Sequence, residues 1–208
     1  MRGKTVVFEG PEGCGKTTQA KKALNYMRKN RKKAVLLREP GGTRISEKIR
    51  GILLDTGSKK MFPETEMLLY EAARAQVCRE KIEKYLKKGY TVLLDRFFLA
   101  TVVYQGYARG IDRNLIKRLN SYTAGKVKPD LTFVYDVSAK EAAARMKKRG
   151  KKDRMEKESL KFHGKVRAGY LKEARKMKKC VIVKTDNKSA GAVFNSTAKE
   201  LKRRRIIN

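Results

Sequence analysis

The run Gly10-Pro11-Glu12-Gly13-Cys14-Gly15-Lys16-Thr17 fits the pattern GxxxxGK[ST], whose residue types are those of a loop that wraps phosphates. Glycines let the backbone turn tightly, so that its N–H groups and the N-terminus of the next helix face a β-phosphate. Lys16 would reach the β- and γ-oxygens, and Thr17 would ligate Mg²⁺. On this reading Gly10, Pro11, Glu12, Gly13, Cys14, Gly15, Lys16, Thr17 and Thr18 form an ATP-binding segment. A plain glycine turn before a helix is the other reading. The register of strand, loop, lysine, threonine and helix favours the phosphate loop.

Three further stretches place reactive types where open α/β sheets bind ligands, at the C-terminal ends of strand-like runs. Asp95-Arg96 offers a carboxylate able to organise Mg²⁺ and a planar fork for a phosphate, although an ion pair at a strand end would look the same. Asp136 also ends a strand, but with no arginine beside it reads as structural. Arg38-Glu39-Pro40-Gly41-Gly42-Thr43 reads as a tight turn that projects Arg38 toward the same edge and caps a helix with Thr43. Tyr70 and Arg74, at i and i+4, share one helix stripe, where a ring beside a guanidinium suits a nucleobase. Taken alone, the pair is better read as a core tyrosine with a snorkelling arginine.

Taken together, these stretches resemble thymidylate kinase. Arg38 to Thr43 is similar to the family's REPGGT signature, Leu68-Leu69-Tyr70-Glu71-Ala72-Ala73-Arg74 to its base-stacking helix, and Asp95-Arg96-Phe97 with Tyr104-Gln105-Gly106 and Arg109-Gly110 to its acceptor loop. Pro129-Asp130-Leu131-Thr132-Phe133 also fits. Arg145, Arg149-Gly150 and Asp153-Arg154 with Glu156 resemble an arginine-bearing lid, about residues 145–155, that closes over ATP. The resemblance implies transfer of the γ-phosphoryl group of ATP to dTMP with Mg²⁺ held by Thr17 and Asp95. It implies that Arg38, Tyr70, Arg74, Arg96 and Gln105 bind dTMP, and that Lys16, Arg96, Glu12, Arg149 and Arg154 serve the chemistry. Glu12 stands where the family has a carboxylate near the sugar 3′-hydroxyl. Gly13 follows it in place of a basic residue, so the catalytic cation is expected in the lid, as in the bacterial-type arrangement. Ala100 stands where many relatives have a serine against the base. That keeps a kinase for dUMP or UMP open as an alternative, with Thr101 able to supply the missing contact. A homodimer is also implied.

The elements that must position these residues alternate, short apolar runs with longer helical patterns, as in a parallel α/β sheet. The expected fold is a three-layer P-loop kinase fold with a five-stranded parallel sheet and a mobile lid, in one domain over 1–208. Strands are expected at 5–9, 34–38, 90–95, 131–136 and 181–184, all rich enough in V, I, L and F to read as buried central strands. Helices are expected from Lys16, Thr43, Pro63 through Leu86, about Leu99, Asp112, Ser138, Met155 and near Ser189, with an exposed mobile segment between Lys147 and Asp153.

Of 208 residues 40% are hydrophobic, enough for a core despite 36% charged. No apolar run is long enough to span a bilayer. The three cysteines, Cys14, Cys78 and Cys180, lack metal-ligand spacing and are odd in number, so a reducing cytoplasm is expected. Fifty-three Lys and Arg against 21 Asp and Glu give a net charge of +32. This reads either as non-specific polyanion binding, up to a basic nucleic-acid-binding module, or as a solvated lysine-rich surface, which the scatter of the basic runs favours.

Overall fold

The computed structural model describes residues 3–150 and 153–207, apart from the side chain of Arg149. Five strands pair in parallel in the order β2-β3-β1-β4-β5, where β1 is Thr5–Glu9, β2 Ala34–Arg38, β3 Thr91–Asp95, β4 Leu131–Asp136 and β5 Cys180–Lys184. The register sets Phe8 beside Asp95, and Arg38 beside Asp95 on the other side. The residues that end the strands therefore line up along one edge.

Side chains alternate across the pleat, and both faces are covered. Val6, Phe8, Leu93 and Phe133 pack beneath α1 (Lys16–Lys29) and α9 (Ala190–Arg203) through Ala20, Ala23, Met27, Val193 and Leu201. On the opposite face Val7, Val92 and Leu94 meet the end of α3 (Pro63–Val77), the π-helical turn Cys78–Ile82 and α4 (Glu83–Lys87). Val134 meets α8 (Leu160–Lys176) through Phe162, Val166 and Tyr170. The three inner strands are buried as expected. β2 and β5 are not central: they form the sheet edges, with Arg38 and Lys184 exposed.

Helix starts follow side-chain caps. Thr43 accepts from Ser46 N ahead of α2 (Arg44–Leu54), Asp112 from Asn114 N and Leu115 N ahead of α6 (Arg113–Ala124), and Ser138 from Glu141 N ahead of α7 (Ala139–Arg149). Between β3 and α6 the chain forms α5 (Phe98–Thr101) and a π-helical stretch, Val102–Ala108.

One expectation near the lid fails. The helix expected from Met155 begins at Leu160, because Ser159 caps it by accepting from Phe162 N, while Asp153 Oδ1 accepts from Glu156 N at 2.9 Å and folds the preceding residues into a turn. That turn is packed, since Arg154, Met155 and Glu156 are buried, while in the segment before it Lys147, Lys148 and Gly150 are exposed, as expected. Lys147 and Lys148 extend α7, and Lys151 and Lys152 lie outside the described residues.

Candidate active site

The loop between β1 and α1 is built on left-handed glycines. Gly10 has φ 139° and a Cβ there would sit 2.5 Å from Tyr135 O; at Gly13, φ 72°, it would sit 2.8 Å from Ala142 O. The chain can thus close round without side chains, and Gly15 leads into the N-terminus of α1. Lys16 Nζ lies back across the loop on Pro11 O at 3.3 Å. Thr17 Oγ1 donates to Asp95 Oδ2 at 2.5 Å, joining the helix start to the end of β3. Gly10, Pro11 and Cys14 are buried behind the loop, while Thr18 is exposed on α1.

Beside the loop lies a cavity of about 360 Å³, lined by Glu12, Lys16, Thr17, Arg38, Glu39, Arg50, Tyr70, Asp95, Arg96, Ala100, Thr101, Tyr104, Gln105 and the Asp153–Glu156 turn. Its lining includes four cations, Lys16, Arg38, Arg50 and Arg96. Arg96 has a positive φ of 70° at the end of β3. Its guanidinium donates to Glu12 Oε1 at 2.6 Å, Tyr170 Oη at 2.9 Å, Tyr104 Oη at 3.0 Å and Gly10 O at 3.3 Å. Burial works against the Glu12 carboxylate, yet the charges of Arg96 and Lys16 hold it below its ordinary range. Burial, with Glu12 alongside, pushes the Tyr104 phenol well up, so it stays a donor to Glu12. Arg38 is tied to Glu47 at 2.7 Å on the outer rim, and Arg50 to Pro40 O at 2.9 Å.

The lining also includes a flat, less charged set, Tyr70, Ala100, Thr101 and Gln105. The Gln105 amide donates to Glu66 Oε1 at 2.8 Å. Tyr70 lines the cavity, but Arg74, four residues on, does not. Arg74 is buried, with Nε on Glu39 at 2.8 Å, Nη1 on Glu71 at 2.7 Å and Asn120 at 2.6 Å, and Nη2 on Thr101 at 3.0 Å. Burial disfavours its charge, but Glu39 and Glu71 keep it firmly protonated. The structure therefore sets Arg74 behind the wall, holding Thr101, which does line the cavity.

Arg154 is likewise not brought to the loop. It pairs with Glu66 at 2.6 Å and donates to Leu53 O at 2.8 Å, because the turn starting at Asp153 docks onto the end of α2. Arg145 donates to Gly13 O at 3.3 Å and Thr185 O at 2.8 Å. Arg149 closes α7, and its side chain lies outside the described residues.

Sequence reasoning passed over several residues of the site. Glu9 is fully buried at the end of β1, accepting from Phe97 N at 2.9 Å and Tyr170 Oη at 2.9 Å. Burial raises its pKa, and Arg96 opposes the rise. A carboxylate closing the apolar run Val6–Phe8 was the available signal. Glu39 and Tyr104 stood inside quoted motifs without a role, and Arg50, Glu66 and Tyr170 gave no signal, since the partners of all five are remote in sequence.

The arrangement can bind a nucleoside triphosphate at the loop and a flat, phosphorylated second molecule beside it. Among known proteins, the family model for thymidylate kinase matches residues 8–196. The chain belongs to the thymidylate kinase family. It is 50% identical over 175 residues to the thymidylate kinase of Geobacter sulfurreducens, covering 81% of this chain and 82% of that one. To that of Kosmotoga olearia it is 43% identical over 195 residues, covering 94% and 93%. The crystal structure of thymidylate kinase from Ehrlichia chaffeensis superposes with a TM-score of 0.78 at 30% identity, over 97% of this chain and 99% of that one. The fold expected of this family, a P-loop sheet of five parallel strands flanked by helices, is the fold observed.

Proposed function

We propose that the chain transfers the γ-phosphoryl group of ATP to the phosphate of dTMP, giving dTDP and ADP. One observation carries this reading beyond family membership: a single cavity beside the glycine loop is lined both by the cations Lys16, Arg38, Arg50 and Arg96 and by Tyr70, Thr101 and Gln105. A nucleoside monophosphate would use both sets, its phosphate on the cations and its base against Tyr70. Its phosphate oxygen is already anionic near neutral pH, so direct in-line transfer needs positioning and charge stabilisation rather than a general base.

Arg96 would hold the acceptor phosphate and Lys16 the transferring group. Glu12, ionised and fixed by Arg96 and Tyr104, would orient the sugar. Tyr70 would stack on the base. Thr101 accepts from Arg74 and so keeps its own hydroxyl hydrogen for a base oxygen; Arg74 acts through it. Thr17 and Asp95 would hold Mg²⁺: a hydroxyl and a carboxylate 2.5 Å apart are hard oxygen donors, suited to a cation that completes its shell with phosphate and water. When bound, Mg²⁺ neutralises charge on the β- and γ-oxygens. Arg149 is the lid cation we assign to the transition state, and Arg154 joins the lid turn to the acceptor wall through Glu66.

We read the chain as one domain, because its apolar clusters all pack on or beside one sheet. We place it in the cytoplasm because Cys14, Cys78 and Cys180 are free. Among the described residues no helix is long and apolar enough to cross a membrane. Phe62, Leu68 and Tyr122 are exposed at 74%, 54% and 81%, and we assign this face to a homodimer, which a mass measurement in solution tests. ADP release measured with dTMP, dUMP, UMP and GMP as acceptors tests the activity. At least tenfold higher kcat/KM for dTMP over UMP and GMP is expected; equal turnover of UMP would move the assignment to a general pyrimidine kinase.

A further inference from the structure

Behind the acceptor wall lies a second cavity, about 620 Å³ against about 360 Å³ for the first. Phosphoryl transfer makes no use of it. Phe98, Leu99, Val102, Val127 and Met177 make its floor apolar. Its rim is cationic, with exposed lysines from three places: Lys117 on α6, Lys128 before β4, and Lys178 and Lys179 between α8 and β5. The one carboxylate in its wall, Glu173, already accepts from Tyr107 Oη at 2.6 Å and Lys176 Nζ at 2.7 Å, so it does not cancel the field of the rim.

An apolar floor favours burying a hydrocarbon or an aromatic body, and a cationic rim favours an anion at the mouth. A nucleotide could set its phosphate at the rim, but its sugar hydroxyls and the polar edge of its base would be stranded on the apolar floor. A neutral apolar molecule leaves the rim without a counter-charge. A molecule with an apolar chain and one anionic head satisfies both.

The two cavities share a wall. Leu99 and Val102 face the second, while Ala100 and Thr101, between them in the chain, face the first. Asn120 lines the second cavity, donates to Phe98 O at 3.2 Å and accepts from Arg74 Nη1 at 2.6 Å; Arg74 in turn donates to Thr101. A ligand in the second cavity would touch Phe98 and Asn120 directly, and through them bear on the residues that face the acceptor.

We infer that this second cavity binds an amphiphilic carboxylate, and that its occupation tightens dTMP binding. A ligand shifts affinity at another site only through a differential interaction, and the Asn120–Arg74–Thr101 chain supplies the route. The second site is independent of acceptor identity, because probe binding is read without turnover.

The test uses the full chain, 1-anilinonaphthalene-8-sulfonate as a fluorescent probe and decanoate as competitor. One saturable probe site is expected, displaced by decanoate and not by dTMP or ATP. The exposed double substitution Lys128→Glu/Lys178→Glu should weaken it at least tenfold, and Ser121→Trp, on the exposed lip, should block it. Calorimetric titration of dTMP in saturating decanoate should give a Kd at least threefold lower than without it, and the Ser121→Trp variant should lose that difference. Displacement of the probe by dTMP or ATP, or probe binding unchanged in both variants, overturns the site. Unchanged dTMP affinity on decanoate binding overturns the coupling.

Discussion

Replacing Arg74 by alanine leaves Glu39 and Glu71 inside the protein without the guanidinium that pairs with both, since all three residues are at most 5% exposed. Removing one partner of a buried ion pair costs about 3–5 kcal/mol, mostly from the charge left behind. For a chain of this size each kcal/mol moves Tm by about 2–4 °C, so the fall should be about 6–20 °C. The loss should also depend on pH. Burial raises Glu39 from 4.5 to about 7 even with Arg74 in place, with Glu71 and Glu9 adding to the rise. Without Arg74 it rises further, so at pH 6 the variant holds a neutral, more cheaply buried Glu39, and the penalty is larger at pH 8. In the intact chain the folded state binds more protons than the unfolded state between about pH 4.5 and 7. Glu39 therefore contributes stability at low pH that is lost as pH climbs through about 7, and Glu39→Gln should flatten that slope. Thermal melts at pH 6 and pH 8, with dTMP affinity on the same samples, decide the matter. A melting temperature within 2 °C of the parent at both pH values, with dTMP affinity lost, would show Arg74 to be a base-reading residue and refute the reasoning.

Lys16→Ala should lower kcat at least 10²-fold with an unchanged far-ultraviolet circular dichroism spectrum, because a charge on the transferring phosphate is lost; activity within tenfold of the parent refutes that role. Arg149→Ala should lower kcat about 10²-fold under saturating ATP and dTMP, at the low end for an inserted arginine, whereas Arg154→Ala, docked on Glu66, should mainly raise the KM for dTMP. If Arg154→Ala costs more kcat than Arg149→Ala, the two assignments are reversed. Binding to duplex DNA should fall steeply with salt and show no sequence preference, as expected of scattered surface lysines; a site-selective affinity that persists at high salt would mean a nucleic-acid interface.

Local signals were legible and remote pairings were not. The glycine loop, the strand runs and the helix starts at Thr43, Asp112 and Ser138 each rest on a few neighbouring residues, and each appears where spacing placed it. That β2 and β5 are edges depends on strand order, which apolar content does not encode. The turn at Asp153 replaced the expected helix start because its own carboxylate bonds the backbone three residues on. The spacing of Tyr70 and Arg74 correctly put them on one helix. The fate of Arg74 was decided by Glu39, 35 positions away, and by Asn120, 46 positions away. Arg96 was readable as a phosphate fork, but Glu9, Tyr104 and Tyr170 around it were not, since Tyr170 and Glu9 are 161 positions apart.

Gln105 lies within the π-helical stretch Val102–Ala108, while Ala100 and Thr101 precede it on α5. A π-helical stretch carries an extra residue relative to an α-helix, and in an α-helix one residue corresponds to about 100° of rotation. Deleting a single residue between 102 and 104 would leave Ala100 and Thr101 in place, yet swing Gln105 and its C-terminal neighbours to another side of the helix. Asp95, Arg96 and the glycine loop would be untouched. Length changes of one residue here are thus a route by which descendants of this chain, or an engineer, could exchange the acceptor while keeping the machinery that moves the phosphate.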